Sequence, residues 1–354
     1  MAKRRFKSQL FEVEDPLSAI ELYYQKGFTD GLPIIPPTEE RVWEMLEYSG
    51  RDPQEVLGLM PPKRNAATVE KVAINAVMAG CLPAYMPVVL TAVEAILDPA
   101  FNLHAVASST KGAAPLLIVN GPAVKELGFN AGPSVFGPGF RANATVGRAI
   151  RLIMRNIGGA IPGEMDRGTL GHPGRYSYCI AEDEAASPWE PLHVERGFPR
   201  EMSCVTVFAG EGPHQVGDHI SRSAEGILDT IAEAMSVIAV YTTLTRTGEI
   251  LVILCPEHVE TIASDGWSKT DIKRFLFERA RRSADELRKK GRLKGAEGMV
   301  DERGMVPVVP SSEDIYVIVA GGAAGRFSAF IPYWAGKEAS KMVTKAVGIC
   351  RECE

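Results

Sequence analysis

The sequence lacks the features that mark secreted, membrane-bound and disulfide-stabilised proteins. Six cysteines in 354 residues are too few for a disulfide framework. No segment offers the roughly 18 uncharged apolar residues that a membrane-spanning helix needs. The basic residues 1–5 are followed by Lys7, Glu12 and Glu14, and not by the apolar core of a signal peptide. We therefore expect a soluble cytoplasmic protein that has no membrane partner.

An excess of positive charge is also missing. The chain carries 39 basic and 44 acidic residues, a net charge of −5, and so has no field that would hold nucleic acid. Its composition, 45% hydrophobic and 23% charged, is that of a globular protein with a large core. These proportions favour a small-molecule partner and argue against a nucleic-acid partner.

Short apolar runs that end abruptly in glycine, proline or polar residues recur along the chain, and helix-like segments follow them. Because strands covered on both faces show continuous hydrophobicity, the pattern predicts an α/β fold with mostly buried, partly parallel sheets and flanking helices. The predicted strands are residues 115–119, 204–208, 250–254 and 315–319, and predicted helices include residues 16–25, 67–79, 84–97, 224–237 and 270–290.

The length of the chain suggests two lobes. Residues 1–38 are expected to form a helix and a proline-rich arm, since prolines at 33, 36 and 37 cannot lie in a central sheet. We place a first α/β lobe with a glycine-rich loop at residues 39–200 and a second α/β lobe at residues 201–340. Residues 341–354 are expected to be a tail.

Candidate site residues follow from the rule that ligands bind beyond the carboxyl ends of strands in α/β sheets. The rule selects Asn120, His214, Glu257, His258 and Arg326. Four of the six histidines also lie between positions 172 and 219, together with many carboxylates. That constellation includes His172, Tyr176, Tyr178, Cys179, Glu182, Asp183, Glu184, Trp189, Glu190, His193, Glu195, Arg196, Glu211, His214, Asp218 and His219.

Within this constellation, His214, Asp218 and His219 are the first candidates for catalysis, with Glu257 and His258 beside them. Histidines and carboxylates in a loop after a buried strand can transfer protons near neutral pH. They can also hold a divalent metal, for which the ligands would be His214, His219, His193 and Glu190. Hydrogen bonding within the loop is the alternative.

Two glycine-rich loops are candidates for substrate binding. Residues 132–145 lead into a helix that extends to about residue 156, so Arg141, Asn143 and Thr145 could hold an anion at its N-terminus. A salt-bridged exposed helix face is the alternative. The loop at residues 321–328 directly follows a predicted strand. Its Arg326 and Ser328 are either ligand contacts or part of a tight turn. Further polar candidates are Asn120, His104 and Lys111.

Cysteine chemistry gives another hypothesis, a thiol-dependent enzyme that uses Cys179, Cys204 or Cys255. Cys255 lies between a strand and a Pro-Glu-His turn, where the N-terminus of a helix could lower its pKa. Cys350 and Cys353 form a CxxC pair at the end of the chain. That pair is either a frayed tail or a redox or metal-binding pair.

Several strings are distinctive: DGLPIIPPT at residues 30–38, NAVMAG at 75–80, RANATVGR at 141–148, SPWEPLH at 187–193 and PEH at 256–258. With them the chain resembles, over about residues 20–335, an uncharacterised bacterial family. Some members are fused to a thioredoxin-like domain with a selenocysteine- or cysteine-Gly-Ser-Cys motif. The resemblance implies chemistry of sulfur, selenium or a reductive step, and a thioredoxin-like thiol or selenol partner.

Three functions therefore stay open. The first is an enzyme that acts on a small polar or anionic substrate by histidine-assisted proton transfer or by metal-assisted lyase or hydrolase chemistry. The second is a non-catalytic subunit that binds a small anion or a partner protein. The third is the thiol-dependent enzyme. Homo-oligomerisation is compatible with each of them.

Overall fold

The computed structural model describes residues 6–238, 248–334 and 339–348, and the Cys350 and Cys353 pair lies outside these residues. The helices are α1 (Pro16–Gln25), α2 (Glu39–Ser49), α3 (Val69–Ala79), α4 (Met86–Ile96), α5 (Leu103–Ser108), α6 (Ala123–Glu126), α7 (Arg141–Asn156), α8 (Leu192–Glu195), α9 (Ala224–Ser236), α10 (Pro256–Ser264), α11 (Lys269–Arg279) and α12 (Ala284–Lys289). The strands are β1 (Val56–Met60), β2 (Asn65–Thr68), β3 (Ala114–Asn120), β4 (Cys179–Ala181), β5 (Cys204–Gly210), β6 (His214–Gly217), β7 (Ile250–Leu254), β8 (Arg281–Ser283), β9 (Met305–Pro307), β10 (Ile315–Val319), β11 (Phe327–Ile331) and β12 (Val343–Ala346). The predicted α/β class is confirmed.

Two four-stranded mixed sheets organise the molecule. Sheet one has the order β12-β5-β3-β4, and sheet two the order β10-β7-β11-β6. In each sheet one neighbouring pair is parallel, β3 with β4 and β7 with β10, while the other pairs are antiparallel. The predicted partly parallel arrangement is confirmed. Sheet one joins strands from both predicted lobes and from the predicted tail, because β3 pairs with β5 and β5 with β12.

Strand β3 of sheet one is apolar from residue 114 to residue 119 because both of its faces are covered. Leu117 and Val119 point to one side and pack in the core formed with α3, α4 and α7. Leu116 and Ile118, the alternate residues of the same strand, pack in a second core that sheet two shares. Successive side chains of a strand point to opposite faces, so a strand between two cores needs an apolar residue at every position.

Helices α3 and α4 form the centre of the first core. The side chain of Thr68 caps α3 by accepting a hydrogen bond from Lys71 N (3.3 Å), and Gly80 ends the helix with a φ of 95°. A left-handed conformation at that position favours glycine. The next segment can therefore turn back, and α4 packs against the strands of sheet one.

The predicted helix at 270–290 is wrong in its extent. Helix α11 ends at Arg279, residues 281–283 form β8, and β8 pairs with β9. Ser283 then caps α12 by accepting a hydrogen bond from Glu286 N (3.4 Å). A serine can compete with the helix for backbone hydrogen bonds, and it divides this segment into two helices.

The proline-rich residues between α1 and α2 form neither helix nor strand and lie along α3 and α7. Arg148 of α7 binds Asp30 through two hydrogen bonds of 2.8 Å, and Ile35 N donates to Met78 O (3.2 Å). In the described parts of the chain no single helix is long and apolar enough to span a membrane. One bent pair of helices, Pro83–Ile96 with Pro99–Ser108, has the length and the apolar composition of a membrane span, and within the described residues this is the sole evidence for one.

Candidate active site

A pocket of about 280 Å³ opens where sheet one ends. Strand β5 ends at Gly210 and its antiparallel neighbour β3 begins at Ala114, so the residues after β5 and before β3 meet at one edge. The loop between α7 and β4 forms the other wall. The pocket is lined by Thr110, Thr169, Leu170, His172 and Glu211 and by Gly112, Gly171 and Gly212.

Glu211 is the carboxylate of this pocket, which we call the Glu211 pocket. Its Oε1 lies 2.6 Å from Lys111 Nζ, and Lys111 also donates to Tyr333 O (2.9 Å). Burial lowers the pKa of Lys111 to about 8, while the adjacent carboxylate favours the charged ammonium. The lysine therefore stabilises a negative charge on Glu211, and its own proton can be lost close to neutral pH.

His172 lines the same pocket and is held as a neutral ring. Burial, and secondly the charge of Arg175, lowers the pKa of His172 to about 4, although the Gly210 carbonyl opposes this in part. The Nδ1 atom accepts a hydrogen bond from Gly174 N (3.2 Å), which leaves the ring proton on Nε2. Nε2 is buried and makes no well-formed hydrogen bond in the described parts of the chain, although the Gly210 carbonyl interacts with the ring.

Two contacts fix the positions of these groups. The Tyr178 ring meets His172 edge-on, with centroids 5.3 Å apart, and the Tyr178 hydroxyl donates to Glu211 O (2.8 Å). Arg175 binds both oxygens of Asp166 at 2.7 Å and donates to the backbone carbonyl of Ala113 (3.0 Å). The loop that carries His172 is therefore tied to the start of β3, and Arg175 stabilises this connection.

A second cluster lies at the carboxyl edge of sheet two, around Cys255. Ser328 Oγ lies 2.7 Å from His258 Nδ1 and 3.7 Å from Cys255 Sγ. His258 Nε2 lies 3.1 Å from Asp218 O, and Arg326 Nε donates to the same carbonyl (2.7 Å). The structure thus brings together five residues that the strand-end rule and the loop patterns selected from distant parts of the sequence.

The pKa of Cys255 sets it apart from the other described cysteines. Burial raises the pKa of Cys81 to about 12 and that of Cys204 to about 11, and it raises the pKa of Cys179 still further. Burial acts in the same direction on Cys255, but hydrogen bonding to His258 outweighs it and leaves the pKa below its ordinary value. Cys255 is only 4% exposed, so access to it is narrow.

Asp218 and Glu257 serve the architecture of this second cluster. The Asp218 carboxylate accepts hydrogen bonds from Ile220 N, Ser221 N and Thr230 Oγ1 at 2.8–3.0 Å. These bonds outweigh burial and hold its pKa well below the usual range. Glu257 Oε1 accepts from Gly325 N (2.7 Å), which fixes the glycine-rich loop before β11.

His214 and His219, the first catalytic candidates from the sequence, lie at the exposed edge of sheet two, in and just after β6, which pairs with β11. The His214 ring stacks on Phe330 with centroids 5.0 Å apart, and the His219 ring meets Phe327 edge-on at 4.9 Å. Arg326, predicted as their anion anchor, instead donates to Asp218 O and Ser221 O. The two histidines cover aromatic rings and do not face the Glu211 pocket lining.

The metal-ligand prediction gains no support from the positions of its members. His193 is fully buried in α8, with Nε2 3.3 Å from Arg200 O, whereas the side chain of Glu190 is exposed. Within residues 6–238, 248–334 and 339–348, no group of three or more His, Cys, Asp or Glu side chains is arranged to hold a metal ion.

Asn120 belongs to a buried polar network at the ends of β3 and β4. Its Nδ2 donates to Glu182 Oε2 (2.7 Å) and Glu184 Oε1 (3.1 Å). Burial raises the pKa of Glu182, and Lys269 of α11 lies 3.7 Å from that carboxylate and 2.6 Å from Glu195. The network ties α8 and α11 to sheet one.

The residues predicted as an anion site at the start of α7 are occupied by protein contacts. Arg141 donates twice to Gly80 O (3.1 and 3.0 Å), and buried Asn143 donates to Asn130 O (2.9 Å). Thr145 Oγ1 donates to Arg141 O (2.8 Å) within the helix. His104 is exposed on α5. Of the predicted substrate-binding residues, Lys111 is the one that joins the Glu211 pocket, through its ion pair.

Sequence reasoning named His172 and Glu211 within the histidine-rich constellation but did not select them. Glu211 immediately follows β5, so the strand-end rule that selected His214 applies to it equally. No protein-family model matches the chain, and no curated protein matches it either. The resemblance to the family with thioredoxin-like fusions therefore stays a prediction.

Proposed function

We propose that the protein is an enzyme that moves a proton on a small polar or anionic carbonyl compound bound between Glu211 and His172. One observation carries the proposal: an ion-paired carboxylate and a neutral imidazole, whose Nε2–H makes no well-formed hydrogen bond in the described chain, line one pocket. A carboxylate base and a neutral hydrogen-bond donor in one pocket suit abstraction of a proton next to a carbonyl group.

In this scheme a Glu211 oxygen takes the proton from the carbon next to the carbonyl. The electron pair of the broken carbon–hydrogen bond moves toward the carbonyl oxygen, which becomes an enolate oxygen. His172 is the neutral donor that would supply its Nε2–H to that oxygen and stabilise the developing charge. Returning the proton to a different atom gives an isomerase, and expelling a leaving group gives a lyase.

Lys111 keeps the base ready in this scheme. Its ammonium beside Glu211 favours the ionised carboxylate in a partly buried place where charge alone is costly. The pocket volume of about 280 Å³ has room for a small-molecule substrate. Thr169 N donates to Thr110 O (2.9 Å), which places two hydroxyl-bearing residues side by side to orient polar groups of that substrate.

Exchange in D₂O tests the proposal without knowledge of the product. The full chain is incubated with 2-oxo acids, 3-oxo acids and hydroxyketones, and proton NMR follows loss of the hydrogen next to the carbonyl. We expect protein-dependent exchange for one chemical class, and its loss in Glu211→Gln. No exchange for any class, or unchanged exchange in Glu211→Gln, overturns the proposal. Thermal stabilisation by the same compounds without exchange would favour the non-catalytic binder instead.

Thiol chemistry at Cys255 is the second candidate, and its pairing with His258 favours it. A thiolate there could exchange with a substrate disulfide, and the thioredoxin-like partner that the resemblance implies would reduce the mixed disulfide.

Mass mapping after brief iodoacetamide treatment at pH 7 tests this candidate. We expect faster alkylation at Cys255 than at Cys204, and a roughly ten-fold slower reaction in His258→Asn, because the lost partner lets burial raise the thiol pKa. Equal rates at Cys255 in the parent and in His258→Asn would contradict it, and this comparison keeps the burial of the thiol matched.

A further inference from the structure

A second cavity, of about 270 Å³, lies under the N-terminal residues and between helices α1, α2, α3 and α7. Its walls are mostly apolar, with the side chains of Phe6, Phe11, Tyr23, Phe28, Ile74 and Met78 among them. An apolar cavity of about 150 Å³ is enough to hold benzene. In proportion, this one has room for about ten carbon atoms.

Residues 6–11, here called the N-terminal strap, cover this cavity. The backbone N–H groups of Lys7 and Ser8 donate to the buried Glu70 carboxylate at 3.2 and 2.8 Å. Phe6 packs on Trp43 with ring centroids 4.8 Å apart, while Leu10 is 61% exposed. The Ser8 hydroxyl also donates to Glu70, and Lys26 Nζ lies 4.5 Å from the centre of the Phe11 ring, so the strap is held at both ends and covers the space without filling it.

One edge of the cavity is polar and carries a half-buried cation. Asn156 Nδ2 donates to Asn75 Oδ1 (2.7 Å), and Lys71 Nζ donates to Ala66 O (3.1 Å). An ammonium has three donors, so Lys71 can also bind a carboxylate. Glu39, the acidic residue on the lining, is exposed, and water screens its charge more than that of Lys71.

We propose that this cavity binds a molecule with an apolar chain or ring system of about ten carbons and one carboxylate, which pairs with Lys71. The apolar part would lie under the N-terminal strap, and the carboxylate would lie at the Asn75 and Asn156 edge. The inference is independent of the proposed function, because none of the described lining residues of this cavity lines the Glu211 pocket.

Titration calorimetry of the full chain with octanoate, decanoate and decan-1-ol tests the ligand class. We expect decanoate to bind about ten-fold more tightly than octanoate, because two more methylene groups are buried. Decan-1-ol should bind about five-fold more weakly than decanoate, since it lacks the charge that pairs with Lys71. The absence of saturable binding by all three compounds, or equal affinity for decanoate and octanoate, overturns the proposal.

Variants of the lining residues test whether the compounds bind in this cavity. Ile74→Trp fills the space and should abolish binding of all three compounds, and Lys71→Met should make decanoate bind no better than decan-1-ol. Leu17→Trp is the matched control, because Leu17 is 74% exposed on α1 and does not line the cavity. Undiminished binding in folded Ile74→Trp overturns the proposal. If that variant does not fold, an unchanged preference for decanoate in Lys71→Met overturns it.

Discussion

Two regions of the molecule present histidines beside carboxylates, and their environments differ. In the Glu211 pocket, burial and Arg175 lower the pKa of His172 to about 4, and its Nε2–H makes no well-formed hydrogen bond in the described chain. At the β6 edge of sheet two, His214 and His219 are exposed and pack on phenylalanine rings. The comparison teaches that the density of histidines along a sequence is a poor guide to chemistry. A fixed tautomer, a free donor and a nearby base are better criteria.

Replacement of the base should produce the largest difference between the two regions. Glu211→Gln keeps the shape of the side chain and removes its negative charge, so deuterium exchange should fall by roughly 10²- to 10⁴-fold, the usual contribution of general acid–base catalysis. His214→Gln is the matched control at the β6 edge of sheet two and should exchange at the parent rate. A large loss in His214→Gln, with Glu211→Gln active, would move the site to that edge.

Removal of the cation behind the base should have the next largest effect. In Lys111→Met the Glu211 carboxylate loses its partner at 2.6 Å, which raises the pKa of Glu211. A base is active only when deprotonated, so the exchange rate falls as the pH falls. In Lys111→Met this fall should occur at a higher pH than in the parent. At pH 7 we expect roughly a ten-fold lower rate. Lys111→Arg keeps the charge and should retain the parent profile; identical profiles in all three proteins would contradict this role.

The neutral state of His172 makes a prediction about stability. Its folded pKa of about 4 is below the unfolded value, which is about 6.5. As pH falls below 6.5 the unfolded chain gains a proton that the folded chain does not bind, so stability falls until about pH 4.

Between pH 7 and pH 4 the free energy of unfolding should therefore decrease less in His172→Asn than in the parent. We expect the two decreases to differ by roughly 1–2 kcal/mol, a figure reduced for the partial exposure of the ring. Urea titrations at both pH values measure it. Parallel pH dependence in the two proteins would show that His172 is charged in the fold.

The sequence predicted the fold better than the site because the two depend on different information. Continuous apolar runs such as residues 250–254 report burial on both faces directly, and β7 has these bounds. The site depends on pairing: Glu211 meets Lys111 only because β3 lies antiparallel to β5. The strand-end rule and the glycine-rich loop pattern did find residues that meet, since His258, Arg326 and Ser328 cluster around the Asp218 loop. The sequence could not show which of these side chains would already be hydrogen-bonded to the backbone.

The smallest effect is expected at the β6 edge itself, where His214→Ala should remove packing alone. His214 and Phe330 are cross-strand neighbours, and their rings stack within 10° of parallel. Such a contact contributes about 0.5–1 kcal/mol, so urea unfolding should show a loss of that size. Phe330 is 2% exposed, and Phe330→Ala should cost about 3–5 kcal/mol because it leaves a cavity. A loss above about 2 kcal/mol in His214→Ala would mean that the ring stabilises more than this edge of the sheet, since substitutions at exposed positions rarely cost so much.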